Sequence, residues 1–148
     1  MTRATLDTNI LASSAIARTG TIAALFNHWR SGDFELVVSD HILEELERAL
    51  RKPYFAARLD KPDRDDFLAL VIEFATVAEI AEPVPDVVPD LPDNLILATA
   101  LGGRAQYLVS GDRALRQLRQ FHGVRILSAV EFLAVIARAE DPSGAIEP

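Results

Sequence analysis

The sequence contains no cysteine, so no disulfide bond can stabilise the chain. It also lacks any apolar run that approaches the roughly 20 residues needed to span a bilayer. The N-terminus does not show the basic stretch followed by an apolar segment that marks a secretory signal. These absences argue against a disulfide-rich secreted domain and against a membrane protein. They predict a soluble, cytoplasmic protein that has no membrane partner.

The chain has 148 residues, a net charge of −7 and an apolar fraction of 49%. This length predicts one domain with its own hydrophobic core. We expect that domain to cover residues 1–139. The segment 140–148 is polar and contains proline and glycine, so a frayed C-terminal tail is expected there.

Short apolar segments typical of buried strands alternate with segments that have helical periodicity. Asp93 is expected to open a helix over 95–101, after a proline-rich loop at 82–92, and another helix is expected over 113–121. An alternation of this kind predicts an α/β fold, a three-layer α/β/α sandwich around a mainly parallel sheet of about five strands. The expected strands cover residues 3–6, 34–38, 76–80, 107–109 and 124–127.

Four carboxylates stand near the ends of these segments. Asp7 and Asp112 follow the first and fourth strands, whereas Glu45 and Asp93 belong to helical segments. Ligand sites of open parallel sheets form beyond the carboxyl ends of the strands. A pocket of four acids requires cations. With no cysteine in the chain, and no histidine expected near any of the four acids, Mg²⁺ or Mn²⁺ suits it better than zinc. Metal-assisted phosphodiester cleavage is the chemistry that this pattern indicates.

Each acid also has a structural explanation. The three aspartates could cap helices, and Glu45 could be a solvated residue of a charged helix that also holds Glu44 and Glu47. However, Ile42 and Leu46 flank Glu45 on the expected helix, which turns it toward the buried side. Three such aspartates together with a partly inward glutamate exceed what capping requires.

Basic residues form two groups in an otherwise acidic chain. The negative net charge argues against binding to long duplex nucleic acid through phosphate neutralisation. Local groups could still contact RNA, although solvated helix faces look the same in sequence. The two groups are Arg48, Arg51 and Lys52, and Arg113, Arg116 and Arg119, which begins directly after Asp112.

Four segments, in order, resemble the motifs of PIN-domain proteins, and in particular the VapC-like toxins of toxin–antitoxin pairs. LDTNIL places the first acid of the family on Asp7, and SDHILEEL places the second on Glu45. DNLILATAL places the third on Asp93, and LVSGD places the fourth on Asp112, with Ser110 where threonine is commoner.

This resemblance implies a metal-dependent endoribonuclease that cleaves single-stranded or loop RNA and acts as a toxin. Asp7, Asp93 and Asp112 would hold one or two Mg²⁺ or Mn²⁺ ions, directly or through water, and Glu45 would position the ions or the attacking water. Supporting residues would orient the carboxylates. Alternatives are a catalytically silent PIN-like binding module and a housekeeping RNA-processing nuclease. The supporting residues are Thr8, Asn9 and Ser110.

The resemblance also implies two protein partners, a second copy of the chain and a cognate antitoxin that enters the acidic cleft. An apolar surface for such contacts is expected at Trp29 and at Tyr54 with Phe55, although these side chains could instead cover the edge of the core.

Overall fold

The computed structural model describes residues 1–140, and most of the tail expected at 140–148 lies outside them. Six strands occur in chain order: β1 (Arg3–Leu6), β2 (Glu35–Val38), β3 (Thr76–Val77), β4 (Tyr107–Val109), β5 (Gln120–Phe121) and β6 (Val124–Leu127). The helices are α1 (Thr8–Ser14), α2 (Gly20–Arg30), α3 (Asp40–Leu50), α4 (Pro53–Ala56), α5 (Lys61–Phe74), α6 (Leu91–Gly102), α7 (Arg113–Leu118) and α8 (Ala129–Glu140).

The strands form one sheet in the order β3-β2-β1-β4-β6-β5, in which only the β5–β6 pair is antiparallel. From β1 the chain builds outward through β2 to β3, and from β4 it builds in the other direction to β6. The strand order therefore reverses between β1 and β4. Such a reversal opens a crevice at the carboxyl ends of the two strands, where ligands of α/β proteins bind.

The central strands are apolar because helices cover both faces of the sheet, which confirms the expected three-layer α/β/α architecture. Helix α6 packs across β1, β2 and β4, while α2 packs against α8. Phe34 and Phe132 are almost completely buried, and their rings meet edge to face with centroids 5.0 Å apart. Among residues 1–140, no helix has both the length and the apolar character required to cross a membrane.

Two expected helix boundaries are wrong, and local backbone chemistry explains both. Helix α6 begins at Leu91 because the Asp90 carboxylate accepts the N–H of Asp93, so Asp90 is the cap and Asp93 lies in the first turn. Helix α7 ends at Leu118 instead of continuing to 121, because Arg119 adopts a φ of 60°. The chain then forms the β5–β6 hairpin, the sixth strand of a sheet expected to have about five.

A surface role for Trp29 is also wrong. Its side chain is only 6% exposed and contacts the ring of Phe26 edge to face in the core. Tyr54, in contrast, is 58% exposed, and Phe55 is partly buried against the core. Of the three residues expected to form an apolar surface, Tyr54 is therefore the one that is largely exposed.

Candidate active site

The first candidate residue, Asp7, directly follows β1 at the point where the strand order reverses. Its N–H donates to the carbonyl of Val109 at 3.0 Å, which ties it to the end of β4. Its side chain is almost fully buried, and both carboxylate oxygens accept hydrogen bonds. The N–H of Ile10 donates to Oδ1 at 2.9 Å, and the Ser110 hydroxyl donates to Oδ2 at 2.6 Å. Asp7 thus caps α1 and is also fixed at the mouth of the sheet.

Ser110 connects Asp7 with Asp112. It is completely buried at the end of β4, and its hydroxyl oxygen accepts the N–H of Asp112 at 2.9 Å while the hydroxyl proton goes to Asp7. Asp112 uses Oδ1 to accept the N–H of Leu115 at 3.0 Å and so caps α7. The capping explanation is therefore correct for Asp7 and Asp112, and it coexists with their place in one polar network.

Glu45 approaches the same region from α3. Glu44 is exposed, whereas the Glu45 side chain keeps only 24% of its exposure, which confirms the helical phase predicted from Ile42 and Leu46. His41 stands one turn earlier, and its Nε2 lies 2.7 Å from Oε1 of Glu45. Both atoms are buried, and neither forms a hydrogen bond with another described residue. The pair is therefore a close contact between two polar groups. The expectation of no histidine near the four acids is therefore wrong.

Helix α3 is held against α6 by a buried pair of hydroxyl groups that was not recognised from sequence. Ser39 caps α3, and its Oγ lies 2.7 Å from Oγ1 of Thr99 in α6. Thr99 in turn donates to the carbonyl of Leu95 at 2.9 Å, so Ser39 is the donor of the pair. This contact sets the position of the helix of Glu45 relative to the helix of Asp93.

Asp93 lies in the first turn of α6, beside a second residue that was missed. The buried Asn94 side chain accepts the N–H groups of Val87 and Val88, each at 3.2 Å, and donates to the carbonyl of Val88 at 2.9 Å. It therefore anchors the proline-rich loop onto α6. A polar residue directly before the apolar run that begins at Leu95 is the sequence signal that could have identified it.

The four acids line one cleft of about 240 Å³. Asp7, Glu45, Asp93 and Asp112 come from four different elements of the chain, so the structure brings together all the acids predicted from sequence. Thr8, Asn9, Arg48 and Lys52 line the same cleft. Arg51 does not, because it pairs with Glu47 at 3.0 Å on the exposed side of α3. Arg113 and Arg116 line a neighbouring groove beyond Asp112.

Burial and mutual repulsion raise the pKa values of two of these acids. Burial raises the pKa of Asp7, against the hydrogen bonds from Ser110 and Ile10, and the charge of Asp112 adds to the rise. The pKa of Asp93 is raised to about 6, first by burial and then by the charges of Asp112, Asp90, Asp7 and Glu45. The carboxylates are therefore close enough to disfavour one another's ionisation, a situation that a cation would relieve.

The cleft suits a hydrated hard cation. The acidic side chains offer only oxygen ligands. Thr8 also lines the cleft, and its hydroxyl is buried without a hydrogen-bond partner among the described residues. Within residues 1–140, no three acidic or histidine side chains already stand close enough together to enclose an ion. Mg²⁺ accepts such a site, since it binds through one or two carboxylates and keeps several waters.

Solved structures share this fold at low sequence identity. PAE2754 from Pyrobaculum aerophilum is 19% identical, with a TM-score of 0.61 over 92% of this chain and 90% of its own. VapBC2 from Rickettsia felis, bound to a DNA fragment from its promoter, is 12% identical, with a TM-score of 0.58 over 84% and 96%. The VapC20 toxin from Mycobacterium tuberculosis, which cleaves the sarcin–ricin loop, is 14% identical, with a TM-score of 0.55 over 82% and 98%.

No curated protein matches the sequence significantly. The model of one protein family, described as the PIN domain, matches residues 3–114 and therefore includes all four acids of the cleft. The fold, the order of the motifs and this match agree, and the chain belongs to the PIN-domain family.

Proposed function

We propose that the protein is a metal-dependent endoribonuclease that hydrolyses single-stranded or loop RNA. One observation carries the proposal: four carboxylates from four separate elements line a single cleft at the reversal point of a parallel sheet. Structural roles do not account for this convergence, because Asp93 caps no helix and Glu45 faces the cleft from within α3.

Asp7, Asp93 and Asp112 would hold one or two Mg²⁺ or Mn²⁺ ions, with Glu45 completing the acidic set. Such ions make a water nucleophilic at neutral pH and offset negative charge on the phosphodiester. The chain supplies the orientation. Ser110 fixes Asp7 and the backbone of Asp112 through its hydrogen bonds. Glu45 would position the ions or the attacking water.

The cationic side chains of the cleft fit a phosphodiester substrate. Arg48 lies on α3 and Lys52 lies between α3 and α4, and both line the cleft together with the acids. Their positive charges would bind the phosphates that flank the scissile bond. The Thr8 hydroxyl and the Asn9 amide would bind water or substrate oxygens beside the carboxylates.

A role as the toxin of a toxin–antitoxin pair is supported by the similar solved structures, one of which is a loop-cleaving toxin and another a VapBC assembly. We propose that a cognate antitoxin closes the cleft by placing a basic side chain among the carboxylates, where a cation would otherwise bind. Competition between the antitoxin and Mn²⁺, measured by calorimetry, tests this partner. An antitoxin whose affinity is unchanged by Mn²⁺ and by Asp93→Asn would contradict it.

We also propose that two copies of the chain associate. Tyr54 is exposed on α4, and large exposed aromatics favour protein contacts. Light scattering at micromolar concentration tests this, since a monomer there would contradict the proposal.

The nuclease proposal is tested with labelled single-stranded and hairpin RNA. Cleavage is expected with Mg²⁺ or Mn²⁺, should stop with excess chelator and should be abolished by Asp112→Asn. Glu44→Gln is the matched control, because Glu44 neighbours Glu45 but is exposed to solvent. Full cleavage in chelator, or equal losses in the two variants, would refute the proposed mechanism.

A further inference from the structure

A second concave surface lies beyond Asp112, and four arginines dominate it. It has a volume of about 1130 Å³ and is formed by α7, the β5–β6 hairpin and the start of α8. We call it the arginine groove, and its charged members are Arg113, Arg116, Arg119, Arg125 and Glu131.

The single acid of the arginine groove has a structural task. Oε1 of Glu131 accepts the N–H of Ser128 at 2.8 Å, while the Ser128 hydroxyl accepts the N–H of Glu131, so the two residues form the capping box of α8. Arg116 approaches Glu131 only to 3.8 Å, and both side chains are about half exposed. Within the part of the chain that the structure describes, the positive charge of the groove is therefore largely uncompensated.

The backbone conformation of Arg119 also places its positively charged side chain in the arginine groove. Arg119 has a φ of 60°, which is uncommon outside glycine, and its carbonyl accepts the N–H of Ile126 at 2.8 Å. This conformation stops α7 and turns the chain into β5, and it leaves the Arg119 side chain in the groove. Unfavourable conformations of this kind persist where the surrounding structure enforces them and are concentrated at functional sites.

The arginine groove continues into the acidic site. Gly111 and Arg113 line the groove, and they also line a pocket of about 410 Å³ that contains Asp7, Asn9 and Asp112. An extended chain molecule can therefore pass from the acids into the groove without leaving the surface. Arg48 of α3 and Lys52, which caps α4, line the cleft of the acids and not the arginine groove.

From this arrangement we infer that the arginine groove binds the phosphates of single-stranded RNA on one side of the scissile bond. The inference rests on the proposed nuclease function and adds the course of the substrate across the protein. The groove is larger than a small anion requires. Between its arginines it offers the amides of Gln117 and Gln120 and the apolar side chains of Ile126 and Leu127. Charged, amide and apolar groups together suit a flexible strand with accessible bases and riboses.

The test measures binding of a fluorescent single-stranded RNA by anisotropy as a function of salt, with Asp7→Asn in every protein so that the RNA stays intact. Arg116→Gln/Arg125→Gln removes two charges from exposed side chains of the arginine groove. The affinity should fall about tenfold, and the slope of log K against log[salt] should become shallower by about 1.4, twice the value of about 0.7 per phosphate.

Arg104→Gln/Arg138→Gln is the matched control, since it removes the same charge from exposed residues outside the groove. The slope of this control should equal that of the parent protein. Equal slopes for the groove variant and the control would overturn the inference, as would equally strong binding of single-stranded DNA or duplex DNA of the same sequence. Cleavage by the otherwise unmodified chain with Mn²⁺ is measured separately. If that chain cleaves RNA but the groove variant and the control have equal salt slopes, only the inference about the arginine groove fails. If that chain does not cleave RNA, the proposed nuclease function fails.

Discussion

Ser110 joins two of the acids through hydrogen bonds, since its hydroxyl donates to Asp7 and accepts the N–H of Asp112. Ser110→Ala is expected to reduce metal-dependent cleavage by about 10- to 100-fold, because the carboxylate of Asp7 loses the group that orients it. The free energy of unfolding should fall by about 1–3 kcal/mol, since the buried acceptor of Asp7 and the partly buried N–H of Asp112 lose their partner.

Ser110→Thr is the matching control, because it restores the hydroxyl and should recover most of the activity. RNA cleavage and urea denaturation measured side by side separate the two effects. If Ser110→Ala lost stability but kept full activity, the serine would have a structural role only.

Asp93 predicts how the stability of the metal-free protein depends on pH. Its pKa is raised to about 6 in the folded state from an ordinary value of 3.8. Between these two values the folded state binds more protons than the unfolded state, so the free energy of unfolding decreases as the pH rises through this window. Since the cleft is open to water, we expect the loss to be about 1 kcal/mol and not the full value of the shift.

Asp93→Asn removes this contribution, so the variant should gain stability relative to the parent protein between about pH 4 and pH 7. Thermal melts in chelator across this range measure the difference. A constant difference across the range would contradict the raised pKa.

The four acids could be predicted from sequence because each stands at a strand end or on a helix face of clear period. Thr99 could not be recognised in the same way, since its partner Ser39 becomes significant only when α3 and α6 are packed together. His41 did carry a signal, because a spacing of four residues places it over Glu45 on a helix. Thr99 and Ser39 are 60 positions apart, and no local rule joins them.

At the scale of elements, Asn94 determines how the proline-rich loop is attached to α6. Asn94→Ala leaves the N–H groups of Val87 and Val88 without their acceptor in a buried setting. We expect a loss of about 2–4 kcal/mol in the free energy of unfolding. Asn27→Ala on the exposed face of α2 is the control and should change stability by less than about 0.5 kcal/mol. Similar denaturation midpoints for the two variants would disprove the anchoring role.

The end of α6 depends on two glycines that allow the chain after β3 to approach closely. A Cβ on Gly102 would collide with the carbonyl oxygen of Glu79, which is backbone and cannot rotate away. Gly102→Ala should therefore destabilise the protein by about 1–3 kcal/mol, although alanine is the better helix former. Gly111→Ala has open space around the new methyl group and should leave the melting temperature almost unchanged. Equal melting temperatures in the two variants would contradict this packing.

The order of the helices and strands could be predicted from sequence, but the end of α7 and the start of α6 could not. The run from Arg113 to Phe121 has helical spacing throughout, and only the backbone of Arg119 ends the helix. The hairpin that follows turns at His122 and Gly123, both with positive φ, and this two-residue turn was the available signal. Asp90 and Asp93 are both plausible caps, and the choice between them depends on how the proline-rich loop packs.

For the molecule as a whole, the net charge of −7 conceals a separation of charge that matters more than its total. Four acids are gathered in the cleft and four arginines in the adjoining arginine groove. The net charge of the chain argues against binding to long duplex nucleic acid, but it could not show that a local basic surface borders the acids. That surface is formed by residues of α7, the β5–β6 hairpin and α8, which meet only in the folded chain.

The concentration of negative charge predicts a global response to divalent cations. Because four carboxylates repel one another in the cleft, Mn²⁺ should raise the melting temperature by binding the folded state. The rise should be larger at pH 8 than at pH 5, since Asp93, with a pKa of about 6, holds a proton at the lower pH. Asp112→Asn should stabilise the metal-free protein by relieving repulsion and should reduce the response to Mn²⁺. Scanning fluorimetry measures this response, with Glu44→Gln as the control. An equal rise in melting temperature for Asp112→Asn and Glu44→Gln would show that Mn²⁺ binds outside the cleft.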